Sequence, residues 1–335
     1  MRCPTLKDLP LPPEGKKGWP WTVESPQLSD IMPDDKHWPK ISIVTPSFNQ
    51  GKFIEETIRS ILLQGYPNLE YIIIDGGSTD EAAQIIKKYE PWLDYWISES
   101  DAGQANAINK GLLEATGDWF NWINSDDLLT PSALFEVASC TKTCDAVAGA
   151  TANFDSTGQR ARIANAGLDA VGLTAGSQSV VFHQPSLWLR LSGLRECGGI
   201  NSNLHYVFDW EMIIRYLASH GTVSYTSNTL AHFRLHDASK TVSLPERFET
   251  ERLLALALLR DHCVSAEVRA AADLRYRHKA WSRLLETQIQ NAQTDRWWAM
   301  ARIMLMTLQD PTVRLSRMTF GAIKQALRSG VRKNV

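Results

Sequence analysis

The chain has 335 residues, 44% of them hydrophobic and 21% charged, with a formal net charge of −2. This is the composition of a soluble globular protein with room for one large domain or a domain with an appendage, and the charge balance excludes global attraction to nucleic acid. The first thirty residues hold no apolar core of signal-peptide length and no run of about eighteen apolar residues occurs, so the sequence predicts a cytoplasmic protein that neither uses a standard export signal nor threads a bilayer.

Residues 1–39 contain eight of the fifteen prolines together with Trp19, Trp21 and Trp38. Prolines at that density oppose helix interiors and central strands, while tryptophan rings seek burial. The expectation is an extended arm wrapped on a domain. Ile41 to Thr45 is a short apolar run ending at Pro46, which predicts a buried strand. After the polar stretch Ser47 to Gly51, Lys52 to Gln64 sets Phe53, Ile54, Thr57, Ile58, Ile61 and Leu62 on one helical stripe. Glu70 to Asp75 predicts a second strand, turned by Gly76-Gly77-Ser78. A helix through Ala83, Ile85, Ile86 and Tyr89 follows, with Ser78 or Thr79 as its cap. Tyr95 to Glu99 predicts a third strand, Gly103 to Thr116 a third helix and Asp118 to Asn124 a fourth strand. Alternating strands and helices with short connections predict a parallel sheet covered on both faces, with ligands beyond the carboxyl ends of the strands.

Beyond Pro131 the pattern predicts a helix at Leu134 to Ala138, a strand at Asp145 to Ala150, loops or short edge strands over 151–178, and a strand at Ser179 to Phe182. A loop at Asn201 to Phe208, a helix at Asp209 to His220 and a strand at Val223 to Thr226 follow. From Pro245 the composition is helical, with Ser243-Leu244-Pro245-Glu246 as a helix start. Residues 296–335 hold eight Lys or Arg against one acid, Asp310, beside Trp297, Trp298, Met304 and Leu305. The resulting domain plan is an arm at 1–39, a catalytic domain at 40–242 with halves 40–130 and 131–242, and a helical region at 243–335.

Five constellations carry chemistry. Asp126-Asp127 puts two carboxylates at the end of a buried strand, an arrangement a divalent cation relieves; a turn plus a helix cap before Pro131 is the plainer alternative. Asp75 can accept a hydrogen bond from a base or ribose, or form an Asx turn with Gly76. Asp101, Gly103, Asn106 and Asn109 stand at a helix start that favours anions. Asp209, among aromatic neighbours, is either a general base or an N-cap. His232, Arg234 and His236 alternate on a segment, continuing to Lys240, that suits a diphosphate, a metal or a surface loop. The five cysteines, Cys3, Cys140, Cys144, Cys197 and Cys263, complete no zinc pattern and read as reduced thiols.

Taken together, SIVTPSFNQGKFIEETIRSIL, IIIDGGSTD, SDAGQANAINKG, NSDD, HQPSLWLR, FDWEMIIRYL and FRLHDASKT, in this order from Ile41 to about Lys240, resemble glycosyltransferase family 2. The resemblance implies the α/β GT-A nucleotide-diphospho-sugar transferase fold, a Rossmann-like mostly parallel sheet with helices on both faces, here followed by a C-terminal helical extension. It implies transfer of a sugar from a nucleoside diphosphate donor to a saccharide or lipid-linked saccharide acceptor with inversion, in bacterial cell-surface polysaccharide synthesis. By position, Thr45, Pro46, Ser47, Asp75, Asp101, Asn106, Ser125 and Asp126 line the nucleotide. Asp126, Asp127 and His236 hold a divalent cation, Mn2+ or Mg2+, and Asp209 is the base. Asn124 stands where the family's aspartate-any-aspartate motif begins with Asp, which implies looser metal binding, and Phe208 replaces the acid that usually precedes the base. No nucleic acid is expected as partner; the basic, Trp-rich tail suits either peripheral contact with the inner membrane surface or packing of its tryptophans and methionines on the catalytic domain with the charges facing water. A sugar nucleotidyltransferase would carry a Gly-rich basic loop after the first strand, which Thr45 to Gly51 lacks. A catalytically silent nucleotide-sugar-binding protein would have no use for Asp209. A dehydrogenase is not expected, since no Gly-x-Gly-x-x-Gly turn follows any predicted strand.

Overall fold

A computed structural model describes residues 1–236, 245–292 and 296–329. Lys240, the cap residues Ser243 and Leu244, and Arg332 and Lys333 of the basic tail lie outside the described residues. The chain forms two compact units, Met1–Glu251 and Arg252–Val335.

In the first unit, β1 (Ile41–Ser47) and β2 (Leu69–Asp75) are buried along their whole length, which is why they read as continuous apolar runs rather than alternating ones. They lie parallel to each other and to β3 (Tyr95–Ser98) and β4 (Trp119–Trp122). The connecting helices α1 (Gly51–Leu62), α2 (Ala82–Lys88) and α3 (Gln104–Glu114) bury one face each; Ile54, Thr57, Ile58, Ile61 and Leu62 of α1 are fully covered. This half is the parallel sheet that the period of the sequence predicts. The cap of α2 differs: Glu81 occupies the N-cap position and Asp80 accepts the Ala82 N–H. Ser78 is withheld because its hydroxyl and N–H both donate to Asp75.

The other half is mixed. The strands are β5 (Leu128–Leu129), β6 (Ala146–Asp155), β7 (Gly158–Ala164), β8 (Leu187–Arg190) and β9 (Val223–Arg234). One nine-stranded sheet runs β3-β2-β1-β4-β8-β6-β9-β5, with β7 paired to β6. β8 is antiparallel to both β4 and β6, and β9 is parallel to β6. Residues 151–164 are therefore a β-hairpin, the edge-strand alternative rather than the loop one, and β9 runs eight residues past the predicted Thr226. Ser179 to Phe182 is no sheet strand; it contributes only the isolated bridge Val181–Ala166. Its place is taken by Leu187–Arg190, whose Trp188 is fully buried. The covering helices are α4 (Ala133–Ser139), α5 (Ala170–Ala175), α6 (Leu191–Glu196) and α7 (Phe208–Ser219).

Residues 1–39 form no helix and no sheet strand. They are fastened by backbone bonds from Cys3 to Tyr66, Ser25 to Leu63 and Leu28 to Gly65. The buried Arg59 of α1 donates to the carbonyls of Pro10, Pro20 and Trp21. Glu70 joins β2 to Lys40, Ser42 and Thr116. Burial opposes its ionisation, but these hydrogen bonds prevail and hold the carboxyl down to about 2.

The second unit is helical. It contains most of α8 (Pro245–His262), then α9 (Ala266–Asn291), α10 (Arg296–Gln309), α11 (Pro311–Arg314) and α12 (Arg317–Ser329). Ser265 caps α9 by accepting the Val268 N–H. Trp281, Leu285, Ile303 and Ala322 form its core, and the Trp281 indole donates to Thr319 at 3.0 Å. All five cysteines are free thiols.

Candidate functional site

The carboxyl ends of β1, β2 and β4 converge on one rim, and the polar residues there are held by short local turns. Thr45 is buried with its hydroxyl 3.0 Å from the Tyr71 hydroxyl, so it offers a ligand its backbone only. Pro46 follows, buried at the strand end. Ser47 is buried, its carbonyl accepts the Gly76 N–H at 2.8 Å, and its hydroxyl has no hydrogen-bond partner among the described residues. A buried orphan hydroxyl at the mouth of a crevice suits a polar ligand atom.

Asp75 is fully buried. One carboxylate oxygen accepts from the Ser78 N–H and the Ser98 hydroxyl, at 2.9 and 2.7 Å, and the other accepts from the Ser78 hydroxyl at 2.5 Å. The side chain thus closes the turn through Ser78, three residues on rather than in an Asx turn with Gly76, and the oxygen bonded only to the Ser78 hydroxyl keeps a lone pair for a ligand donor. Gly76 is needed here: a Cβ on it would stand 2.9 Å from an Asp101 carboxylate oxygen. Gly77 adopts φ +79°, the left-handed turn conformation that glycine takes without strain. Asp101 accepts the Gly103 N–H at 2.7 Å ahead of α3. Asn106 reaches only back to the Ala102 N–H, at 3.4 Å.

The turn Asn124–Asp127 is fastened from three sides. The Gln104 amide donates to Asn124 at 2.7 Å, tying it to the start of α3. The Thr57 hydroxyl of α1 is shared between the carbonyls of Ser125 and Asp127, at 3.0 and 2.7 Å. From β9, Arg234 donates its N–H to the Asp127 carboxylate at 3.0 Å and its side chain to the Asp126 carbonyl and to Glu56, each at 2.9 Å. The Arg234 guanidinium lies between the rings of Phe53 and Phe154, 4.8 and 4.5 Å from their centroids. Arg234, which the sequence offers to a diphosphate, is spent on building the turn.

The two aspartates have different surroundings. Asp127 is 1% exposed, with one oxygen bonded to the Arg234 N–H and the other to the Asn124 amide at 3.1 Å. Burial first, then the charge of Asp126, push its pKa well above the ordinary carboxylate value. Asp126 is half-buried and its carboxylate lies 2.8 Å from Nε2 of His236. One carboxylate and one imidazole, backed by a buried second carboxylate, are donors that suit Mn2+ or Mg2+ when substrate oxygens complete the shell. Among the described residues no three His, Cys, Asp or Glu side chains form a metal cage by themselves.

Asp209 lies in the first turn of α7 and accepts the Trp210 N–H at 2.7 Å. Phe208 is buried against Trp122 at the end of β4, ring centroids 6.1 Å apart, which brings the start of α7 to the same rim. The core contact accounts for an aromatic residue at that position. The preceding loop touches α3: a Cβ on Gly103 would stand 3.6 Å from Nδ1 of His205.

Glu251 on α8 gathers the N–H groups of His205, Tyr206 and Val207, with Arg247 donating to the Tyr206 hydroxyl at 3.0 Å. Sequence reasoning misses this residue, since an acid inside a helix carries no local signal. Gln184 is also missed; its amide donates to the Asn121 side chain and the Trp122 carbonyl, both at 2.9 Å, beside His183, whose imidazole burial makes harder to protonate.

Residues 42–184 match the model described as "Glycosyl transferase family 2". The putative teichuronic acid biosynthesis glycosyltransferase TuaG of Bacillus subtilis is 40% identical over 93 residues, 27% of this chain. The chain spans about a third of the length of such curated relatives, 36% for TuaG. S. aureus TarS 1-349 in complex with UDP-GlcNAc superposes with a TM-score of 0.58 at 18% identity, covering 72% of this chain and 73% of that TarS 1-349 chain. The mannosyltransferase PcManGT of Pyrobaculum calidifontis, with GDP-Man and Mn2+, has a TM-score of 0.55 at 17% identity, covering 91% and 90%. Both likenesses concern the fold, which is GT-A.

Proposed function

Residues 42–184 form a glycosyl transferase family 2 domain, and on that premise we propose that the chain is an inverting enzyme moving a sugar from a nucleoside diphosphate donor to an acceptor hydroxyl. The observation that carries this reading is the Asn124–Asp127 turn: it presents Asp126 and His236 together on the rim that also holds Asp75, Asp101 and the orphan Ser47 hydroxyl. Ser47, Asp75 and Asp101 hold the nucleoside, together with the backbone of Thr45 and Pro46 and with Asn106 and Ser125. A divalent cation, Mn2+ or Mg2+, bound by Asp126 and His236 with Asp127 behind them supplies charge for the leaving diphosphate. Asp209 takes the proton of the acceptor hydroxyl as that oxygen attacks the anomeric carbon. A single base and a single displacement give inversion. The likeness to TuaG, a putative teichuronic acid biosynthesis glycosyltransferase, favours cell-surface polysaccharide synthesis, with a saccharide or lipid-linked saccharide acceptor met in the cytoplasm.

A panel of UDP-, GDP- and dTDP-sugars with Mn2+, read by mass spectrometry, tests the proposal. One donor is expected to release nucleoside diphosphate, and EDTA is expected to stop it. Undiminished turnover in EDTA overturns the metal role, and silence across the whole panel overturns the transferase reading.

A further inference from the structure

α10 is apolar on two faces, and the bundle uses only one. Ala299 and Ile303 point inward, where Ala299 packs with Ala292 and Ala326, and Ile303 with Trp281, Leu285 and Ala322. Trp297, Trp298, Ala301, Leu305 and Leu308 recur three or four residues apart, which puts them on a second, outward stripe. There Trp297 and Leu305 are each 64% exposed and Leu308 is 75% exposed. A helix that is apolar all round is ordinarily buried, and a contiguous exposed apolar face marks a contact surface. The stripe forms a groove lined by Trp297, Trp298, Ala301, Arg302, Leu305 and Met306.

Charge identifies the occupant. Residues 296–335 hold eight Lys or Arg and one acid, Asp310, which is already bonded to Arg277 at 2.6 Å. Arg302 lies over the Trp298 ring at 4.8 Å, on the edge of the groove. On α12 the exposed stripe Arg317, Phe320, Lys324 and Leu327 repeats the mixture of cation and apolar side chain. Tryptophan rings, aliphatic side chains and long cationic side chains on one helix surface match the boundary between acyl chains and anionic headgroups. A second copy of this basic face would instead meet its own charge. No described helix is long and apolar enough to cross a membrane, so the face lies on a bilayer rather than through it.

We propose that the outward face of α10 docks on an anionic lipid surface. This inference does not rest on the transfer chemistry, and its test reads binding without any sugar donor. The full chain is floated at low salt with phosphatidylcholine vesicles, with or without about a third phosphatidylglycerol. The comparison is with Trp298→Glu/Leu305→Glu and with Arg302→Glu, all at exposed positions and checked by circular dichroism. The expected result is flotation of the wild type with anionic vesicles only, at least tenfold less of the double variant, and a reduced fraction of Arg302→Glu. A wild type that stays in the soluble fraction overturns the proposal, as does equal flotation of the double variant. A dimer seen without vesicles and broken by the double variant also overturns it, in favour of a second copy of the chain.

Discussion

Asp126 and Asp127 are adjacent in the chain and opposite in environment, and mutagenesis should separate them. Asp126 faces outward to His236, so Asp126→Ala is expected to lose at least a hundredfold in turnover with no change in stability. Asp127→Ala leaves the Arg234 N–H and the Asn124 amide without their buried acceptor, a loss of about 1–3 kcal/mol that lowers the urea midpoint together with turnover. Equal midpoints for both variants would remove Asp127 from its supporting role. Asp209→Asn is expected to reduce kcat by about 10²–10⁴ while calorimetry finds the nucleoside diphosphate Kd unchanged. A collapsed affinity with a normal residual rate would assign Asp209 to the donor instead. That carboxylates gather here was legible in the sequence, because strand ends can be counted. That Asp127 faces inward was not, because the donor that turns it belongs to Arg234, 107 residues later.

Elements add a layer that the motifs do not contain. Glu251 binds three successive backbone N–H groups just ahead of α7 and so fixes where Asp209 begins its helix. It is a positioning residue. Glu251→Ala is expected to lower kcat about tenfold with donor Kd and the circular dichroism spectrum preserved, and Glu251→Gln to recover part of the loss. Loss of donor affinity in step with kcat would mean a general loosening of the domain instead. The parallel half was legible because β1, β2 and the stripe of α1 carry clear periods. The mixed half was legible only in part: the strand expected at Asp145 to Ala150 is the first half of β6, while its continuation, Thr151 to Asp155, becomes part of one long strand only by pairing with β7 and β9. The apolar Val180-Val181-Phe182 imitated a strand, while the true one, Leu187–Arg190, lay within HQPSLWLR, a motif read only for its family resemblance.

At the scale of the molecule, the proline-rich arm is tied to the rest of the first unit by backbone bonds from Cys3, Ser25 and Leu28 and by the side chain of Arg59. Its guanidinium is fully buried, and Arg59→Met strands the carbonyls of Pro10, Pro20 and Trp21. About 3 kcal/mol of destabilisation is expected in urea unfolding; a midpoint within error of wild type would show that the arm holds on without it. The sequence indicated that the arm packs, because three tryptophans need cover, yet nothing in it indicated where. The Trp19 indole finds the Leu129 carbonyl 110 residues away.

The Thr57 hydroxyl, shared between the carbonyls of Ser125 and Asp127, has a thermodynamic consequence. Thr57 is fully buried on a helix whose other inward residues are core. The turn proposed to meet the donor is therefore ordered by the same event that packs α1 against the sheet. Its loss of freedom is settled during folding rather than at each encounter with substrate, so little of the binding energy goes into shaping the loop.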